Sequence, residues 1–191
     1  MSSMIETLKN KGYTVSSFAT AAQAADYLNS VIDGVSVGIG GSMTVEQMGV
    51  YDRLQSHNTV HWHWKGGDPA KAAVADVYLS SVNALSETGE IINIDGIGNR
   101  VASIFYGHKK VYLIVGRNKI APDFESALHR ARNVAAPLNA KRLNKATPCV
   151  SGGRCFDCRS AERICRELAV LWQCPMKVDV EIVLIDEPLG Y

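Results

Sequence analysis

Short apolar runs alternate with helical segments along most of this chain. Runs rich in β-branched and aromatic residues, which are typical of strands, occur at residues 13–18, 35–39, 59–62, 76–80, 91–94, 111–115 and 178–185. Between them, apolar residues recur at the spacing of amphipathic helices. Strands separated by helices favour an α/β fold in which a mostly parallel sheet is covered by helices on both faces.

Capping signals and apolar spacing predict where several helices begin. Thr44 and Gln47 have the spacing of a capping box, so a helix is predicted to start at Thr44. Pro122 introduces a predicted helix over about residues 123–134. A last helix is predicted over about 160–173, with Ile164, Leu168, Leu171 and Trp172 on its buried side.

Length and composition are those of an ordinary globular protein. The 191 residues are 47% hydrophobic and carry a formal net charge of +1. We therefore expect one domain over residues 1–191, with a cysteine-rich insertion at about 146–166. No basic run indicates a nucleic-acid partner. No apolar stretch is long enough to span a membrane, and no secretory signal is recognisable at the N-terminus, so a cytoplasmic location is expected.

A glycine-rich turn follows the strand predicted at 35–39. It contains Gly38, Gly40, Gly41, Ser42 and Thr44. Glycines let the backbone approach a ligand closely, and two hydroxyls add donors, so the turn is a candidate site for a phosphate or carboxylate. The same residue types also make an ordinary tight turn with a helix cap. The lysine of a P-loop and the full dinucleotide fingerprint are missing, so ATP and NAD are not indicated.

Polar residues also crowd the two ends of the strand predicted at 91–94. Because loops that follow strands often carry function, Glu87 and Asp95 are candidate catalytic carboxylates. Glu87 has the chemistry of a general base or nucleophile, and Arg100 that of a clamp for an anion. A structural ion pair between Glu87 and Arg100 is the alternative. The remaining candidate ligand-binding residues here are Asn83, Thr88, Gly89, Gly98 and Asn99.

The two polar segments together resemble a known family. The strings Gly38-Ile-Gly-Gly-Ser-Met-Thr44, Asn83-Ala-Leu-Ser-Glu-Thr-Gly89 and Asn93-Ile-Asp-Gly-Ile-Gly-Asn-Arg-Val101 are similar to the signature of the lactate-utilisation domain. The resemblance implies the superfold of ribose-phosphate isomerases, glucosamine-phosphate deaminases and coenzyme A transferases. It also implies an association with a three-protein system that oxidises L-lactate to pyruvate, whose other proteins carry iron–sulfur clusters.

Four of the five cysteines fall within a short segment near the C-terminus. Cys149, Cys155, Cys158 and Cys165 offer four thiolates, and a Cys-x2-Cys pair can direct two sulfurs to one metal. The predicted site would hold zinc or a 4Fe–4S cluster, and the spacing does not decide between them. Short members of the lactate-utilisation family resemble this chain in carrying such a tail. A redox pair of Cys155 and Cys158, and a buried apolar role for Cys165, are the alternatives.

Two weaker patterns favour ordinary surface roles. His61 and His63 alternate with two tryptophans, so on a strand they would share one face, most simply a solvated one. Lys141, Arg142 and Lys145 are most simply the solvated basic face of a helix.

Three hypotheses about function follow. In the first, the chain is a component of lactate or organic-acid utilisation that binds a small carboxylate or phosphorylated ligand and works with iron–sulfur partner proteins. In the second, it is a stand-alone isomerase or acyl-transferase-like enzyme that uses Glu87. In the third, it is a non-catalytic module that senses a metabolite. Each is compatible with a homo-oligomer.

Overall fold

The computed structural model describes residues 2–191 and contains two sheets. The strands are β1 (Thr14–Phe18), β2 (Ser36–Ile39), β3 (Thr59–Trp62), β4 (Val77–Ser81), β5 (Ala84–Ser86), β6 (Ile91–Asp95), β7 (Lys110–Gly116), β8 (Ile120–Ala121), β9 (Glu167–Leu171) and β10 (Asp179–Ile185). The α-helices are α1 (Ser2–Asn10), α2 (Ala21–Val31), α3 (Met43–Met48), α4 (Val50–Gln55), α5 (Pro69–Ala72), α6 (Asn99–Phe105), α7 (Phe124–Arg130), α8 (Ala136–Arg142) and α9 (Pro148–Gly152). Within residues 2–191, no helix is long and apolar enough to cross a membrane.

The larger sheet has six strands in the order β1-β10-β7-β4-β2-β3, and every neighbouring pair is parallel. Such pairing requires a crossover between successive strands, and helices supply most of these connections. The predicted α/β fold is therefore confirmed. Its central strands are buried on both faces, as parallel strands usually are.

Apolar side chains form a core on each face of the larger sheet. One face is covered by α2, α3 and α4, with Leu28, Leu54 and Trp62 fully buried. The other is covered by α1 and α6, through side chains such as Leu8 and Ile104. Burial of this area is the main stabilising contribution to such a fold.

A second, four-stranded sheet in the order β8-β5-β6-β9 was not predicted. Strand β6, expected within the parallel sheet, instead forms an antiparallel hairpin with β5. Leu85 and Ile91 of this hairpin belong to the core beneath α1, whereas Ala84 and Ile92 pack towards α7. The hairpin thus has two apolar faces, and its sequence resembles that of a buried parallel strand.

The predicted helix over 160–173 was wrong. Residues 159–166 have no helix, and β9 follows at the edge of the second sheet, paired antiparallel with β6. Leu168 and Trp172, expected to be buried, are 54% and 59% exposed. Apolar residues three and four apart fit a helix, but they also occur in a short strand that continues into a turn.

Two other helix boundaries differ from the prediction. The N-cap of α3 is Ser42, whose side chain accepts a hydrogen bond from the Val45 N–H, and Thr44 lies inside the helix. The helix that begins after Asp123 does not end near residue 134, because a π-helical turn over residues 131–135 connects α7 to α8. This wider turn lets the helix continue through Pro137, which has no N–H to donate.

A buried carboxylate fastens the hairpin to the N-terminal helix. Lys11, which follows α1, forms an ion pair with Glu90 at 2.8 Å. Ser86 and Thr88 also donate hydrogen bonds to Glu90. Burial alone raises the pKa of Glu90, but the hydrogen bonds from Lys11, Ser86 and Thr88 outweigh it and lower the pKa to about 2. The charged carboxylate therefore stabilises the folded state.

Replacing this carboxylate should destabilise the protein. We expect Glu90→Gln to lower the free energy of unfolding by about 1–2 kcal/mol at neutral pH, because Lys11 loses its partner in a partly buried place. Since the folded pKa of Glu90 is depressed, its contribution is complete above about pH 4.5 and is lost as the pH falls towards 2. Urea unfolding at neutral pH and at about pH 3 measures both effects.

The exposed Glu87, three residues away, provides the matched control. Glu87→Gln should change the free energy of unfolding by less than about 0.5 kcal/mol. Equal losses in the two variants would contradict the special role of Glu90.

Candidate functional site

One cavity of about 720 Å³ opens at the carboxyl ends of the strands. Residues that follow β2, β4 and β7 line it from the larger sheet, and residues that follow β6 line it from the second sheet. Ligands of open parallel sheets bind at this edge. The volume lies within the range of small-molecule and cofactor sites.

The structure brings part of the predicted site together in this cavity. The predicted residues that line it are Gly41, Ser42, Asn83, Asp95, Asn99 and Arg100. Those that lie outside its lining are Gly38, Gly40, Thr44, Glu87, Thr88, Gly89 and Gly98. The glycine turn and the stretch ending at Arg100 thus meet at one place, although they are separated by about forty residues in sequence.

The glycines before the turn have packing roles instead of ligand-facing ones. A Cβ atom at Gly38 would lie 2.3 Å from the carbonyl oxygen of Ala72, and one at Gly40 would lie 2.6 Å from the Tyr78 hydroxyl. Only glycine fits against such close neighbours. Gly98 adopts a left-handed conformation, with a φ of 85°, as the residue before α6.

Glu87, Thr88 and Gly89 were wrongly placed in the cleft. They form the turn between β5 and β6, whereas Asn83 lies at the other end of β5. Four residues of extended chain separate Asn83 and Glu87 by about 13 Å. Because the hairpin is antiparallel, its turn is at the end opposite to the cavity. The alternative ion pair between Glu87 and Arg100 is also not formed.

Arg100 fixes the floor of the cavity and is not a free clamp. Nη1 donates to the Asn93 side chain at 2.6 Å and to the Ser81 carbonyl at 3.2 Å. Nη2 donates to the Ile94 carbonyl at 2.8 Å and to the Asn83 side chain at 3.3 Å. Nε lies 3.5 Å from Asp95. All five N–H donors of the guanidinium therefore face protein atoms.

Asp95 is positioned as the counter-ion of Arg100. Its Oδ1 accepts hydrogen bonds from the N–H groups of Gly96 and Ile97, at 2.7 and 3.4 Å, which ends β6 with a turn. Its Oδ2 is buried and has no hydrogen-bond partner within residues 2–191, although it faces the Arg100 guanidinium. Catalysis by Asp95 stays a prediction.

Lys119 is a site residue that sequence reasoning missed. Lys119 lines the cavity and is only 4% exposed. Its ammonium donates to Thr44 Oγ1, Ser81 Oγ and the Val82 carbonyl, at 2.9, 2.9 and 3.0 Å. Three acceptors match the three donors of an ammonium. Burial disfavours the charged form of the ammonium and, with the nearby charges of Arg130 and Arg100, lowers the pKa of Lys119 to about 7. Lys119 follows β7, so the rule that loops after strands carry function would have found it.

Three further lining residues, His63, Arg142 and Lys145, had been assigned ordinary surface roles. Strand β3 ends at Trp62, so the predicted alternation stops and both His63 and Trp64 line the cavity. Burial lowers the pKa of His63. The guanidinium of Arg142 stacks over the Trp64 ring at 4.8 Å. The basic end of α8 therefore faces the cavity, because the π-helical turn prolongs this helix.

The comparison with family models decides the assignment of the chain. The model of the LUD domain matches residues 1–185.

The chain belongs to the LUD domain family.

This family is associated with lactate utilisation. A solved structure similar to this LUD domain is that of a DUF162 family protein from Deinococcus radiodurans. The two are 14% identical, with a TM-score of 0.53 over 96% of this chain and 94% of that one. At this identity the likeness shows the α/β fold alone. No curated protein matches the chain.

The cysteine segment of this LUD domain forms one wall of the cavity, through Ala161 to Ile164. Its loop is held by Arg163, which donates to the carbonyls of Cys158 and Cys165, both at 2.8 Å. Within residues 2–191, no three metal-binding side chains come together, so this arrangement does not fit zinc or a cluster. The metal predicted at Cys149, Cys155, Cys158 and Cys165 stays a prediction from the sequence.

Arg100 should be essential for the fold of the LUD domain around its cavity. We expect Arg100→Met to lower the free energy of unfolding by about 3 kcal/mol, because Asp95 and several carbonyl groups lose their partner. Arg53→Met removes an exposed arginine from α4 and should cost less than about 1 kcal/mol. Thermal and urea unfolding measure both; equal losses would contradict the role given to Arg100.

Proposed function

We propose that this LUD domain binds a small carboxylate or phosphorylated ligand in the cavity, as a component of an organic-acid utilisation system such as L-lactate oxidation. In that system it would work with iron–sulfur partner proteins. The observation that carries the proposal is the buried ammonium of Lys119, which has no carboxylate partner within residues 2–191.

The charge balance beneath the cavity supports an anionic ligand. Arg100, Lys119 and Arg130 lie close enough for the two arginines to lower the pKa of Lys119. Asp95 forms an ion pair with Arg100, and within the described chain neither Lys119 nor Arg130 has an acidic partner. Buried charges are normally paired, because desolvation costs several kcal/mol for each ion. A bound anion would supply the missing negative charge.

Polar donors around this charge are available for direct contacts. The side-chain oxygen of Asn83 is occupied by the Ile94 N–H at 2.7 Å and by Arg100, which leaves its amide nitrogen for the cavity. The Ser42 hydroxyl accepts from Val45 N–H, so its own proton remains available. Neutral donors beside a fixed positive charge are typical of carboxylate and phosphate sites.

The alternative of an enzyme that uses Glu87 has less support, because Glu87 is exposed on the far turn of the hairpin. A non-catalytic metabolite sensor would use the same cavity. The utilisation component and the metabolite sensor differ in whether the bound ligand is converted. The same binding experiment tests both.

Removing the positive charge of the floor, or adding a negative charge to it, should weaken anion binding. We expect Lys119→Met to weaken binding of L-lactate or inorganic phosphate at least tenfold. Asn83→Asp keeps the hydrogen bonds of the side-chain oxygen and places a carboxylate among the three cations. It should also weaken binding at least tenfold while raising the melting temperature. Isothermal titration calorimetry and thermal unfolding provide the readouts.

Lys177→Met, which changes an exposed lysine outside the cavity, is the control and should bind like the unaltered protein. The proposal fails if neither anion binds the unaltered protein, or if all three variants bind equally well.

The affinity for an anion should fall as the pH rises through neutrality. The ligand favours protonated Lys119, whose pKa in the free protein is about 7. Affinity should therefore be highest below pH 7 and fall by up to tenfold per pH unit above it, until the pKa of the complex is reached. Calorimetry with L-lactate between about pH 6 and pH 9 measures this trend. Any pH dependence that persists in Lys119→Met belongs to another group, such as His63.

A further inference from the structure

The cavity has cationic side chains at two depths. Arg100 and Lys119 form its floor, where the side chain of Arg100 is 12% exposed and Lys119 is 4% exposed. Arg142 and Lys145, which are half-buried, form its rim. The floor follows β6 and β7, whereas the rim belongs to α8 and the turn after it.

An aromatic ring lies beside both the rim and the glycine turn. The indole of Trp64 lies against Gly41, where an added Cβ would be 3.4 Å from the ring. Arg142 stacks on Trp64 with its guanidinium carbon 4.8 Å from the ring centroid. Trp64 therefore contacts both the glycine turn and the rim cation Arg142.

The two rim cations, Arg142 and Lys145, outnumber the one carboxylate beside them and form no ion pair with it. Arg142 donates to the side-chain oxygen of Asn139, a neutral acceptor, at 3.0 and 2.8 Å. Glu162 lines the same rim and adds one negative charge there, with its carboxylate accepting a hydrogen bond from the Ala146 N–H. Within residues 2–191, neither Arg142 nor Lys145 forms an ion pair. The rim thus offers a second positive site of its own.

The cavity is also lined by apolar side chains, which include Val82, Ile97, Leu143 and Ile164. A three-carbon acid would leave most of a 720 Å³ cavity empty. We propose that the ligand carries two separate anionic groups, one for the floor and one for the rim, as a phosphorylated hydroxy acid does. This rests on the proposed function and names the ligand class for the same cavity.

Calorimetry with four probes tests the proposal. L-Lactate and glycerol 3-phosphate each carry one anionic group, 3-phosphoglycerate carries two at opposite ends, and pyrophosphate concentrates a similar total charge in one compact group. We expect 3-phosphoglycerate to bind at least tenfold more tightly than each of the other three. Equal affinity for pyrophosphate and 3-phosphoglycerate would overturn the proposal, because total charge alone would then explain the preference.

Substitution at the rim gives a second, independent readout. Arg142→Gln keeps a polar side chain beside Asn139, and we expect it to reduce the preference for 3-phosphoglycerate over glycerol 3-phosphate to less than about threefold. Lys145→Gln should act in the same direction, and Lys177→Gln should leave the preference intact. A preference unchanged in both rim variants would overturn the two-anion proposal.

The failure of this proposal and that of the proposed function are distinguishable. If the four probes bind with similar affinity and Lys119→Met weakens them all, a single anion site stands and the two-anion ligand is excluded. If none of the four probes binds, both proposals fail together.

Discussion

The positive charge buried beneath the cavity constrains the structure around it. Arg100, Lys119 and Arg130 surround the loop at Asn83, and Asp95 forms an ion pair with one of them. Carbonyl, hydroxyl and amide oxygens accept hydrogen bonds from all three, which offsets part of the cost of desolvation. The same hydrogen bonds join the ends of β4, β6 and β7 into one rigid floor. The proposed anion binding and the structural order of the floor therefore depend on the same few side chains.

Chain topology explains why these side chains meet. Parallel strands bring the loops after β2, β4 and β7 to one edge of the sheet. The antiparallel hairpin then returns the chain to that edge, so that Asn83 and Asp95 lie close together although β5, β6 and a turn separate them. The opposite end of the hairpin is fastened to α1 by Glu90 and Lys11. The hairpin thus links the helical exterior to the cavity.

Much of the fold could be predicted from the sequence, because the β-branched runs of the parallel sheet and the capping residues are local signals. The second sheet could not be predicted, since its hairpin is buried on both faces and therefore lacks the alternation of apolar and polar residues typical of a half-exposed strand. At the site, the glycine turn and the 83–100 stretch carried a recognisable pattern. The position of Lys119 after a strand was a usable signal, but its burial was not visible in the sequence. Arg142 carried no such signal, because its role depends on a π-helical turn that propensity does not reveal. Glu87 was expected at the cavity because the antiparallel hairpin of β5 and β6, which carries its turn to the opposite end, was not predicted.

The two-sided packing of the hairpin has a consequence for how the gene can change. Leu85 and Ile91 face the core beneath α1, while Ala84 and Ile92 face α7. Deleting one residue within a strand exchanges its two faces. Such a register shift would turn the larger side chains towards the space filled by alanines. It would also exchange the faces on which the polar side chains at the ends of the strand lie. Length variation among relatives should therefore be rare between residues 83 and 95 and should accumulate in the exposed turn that precedes β10.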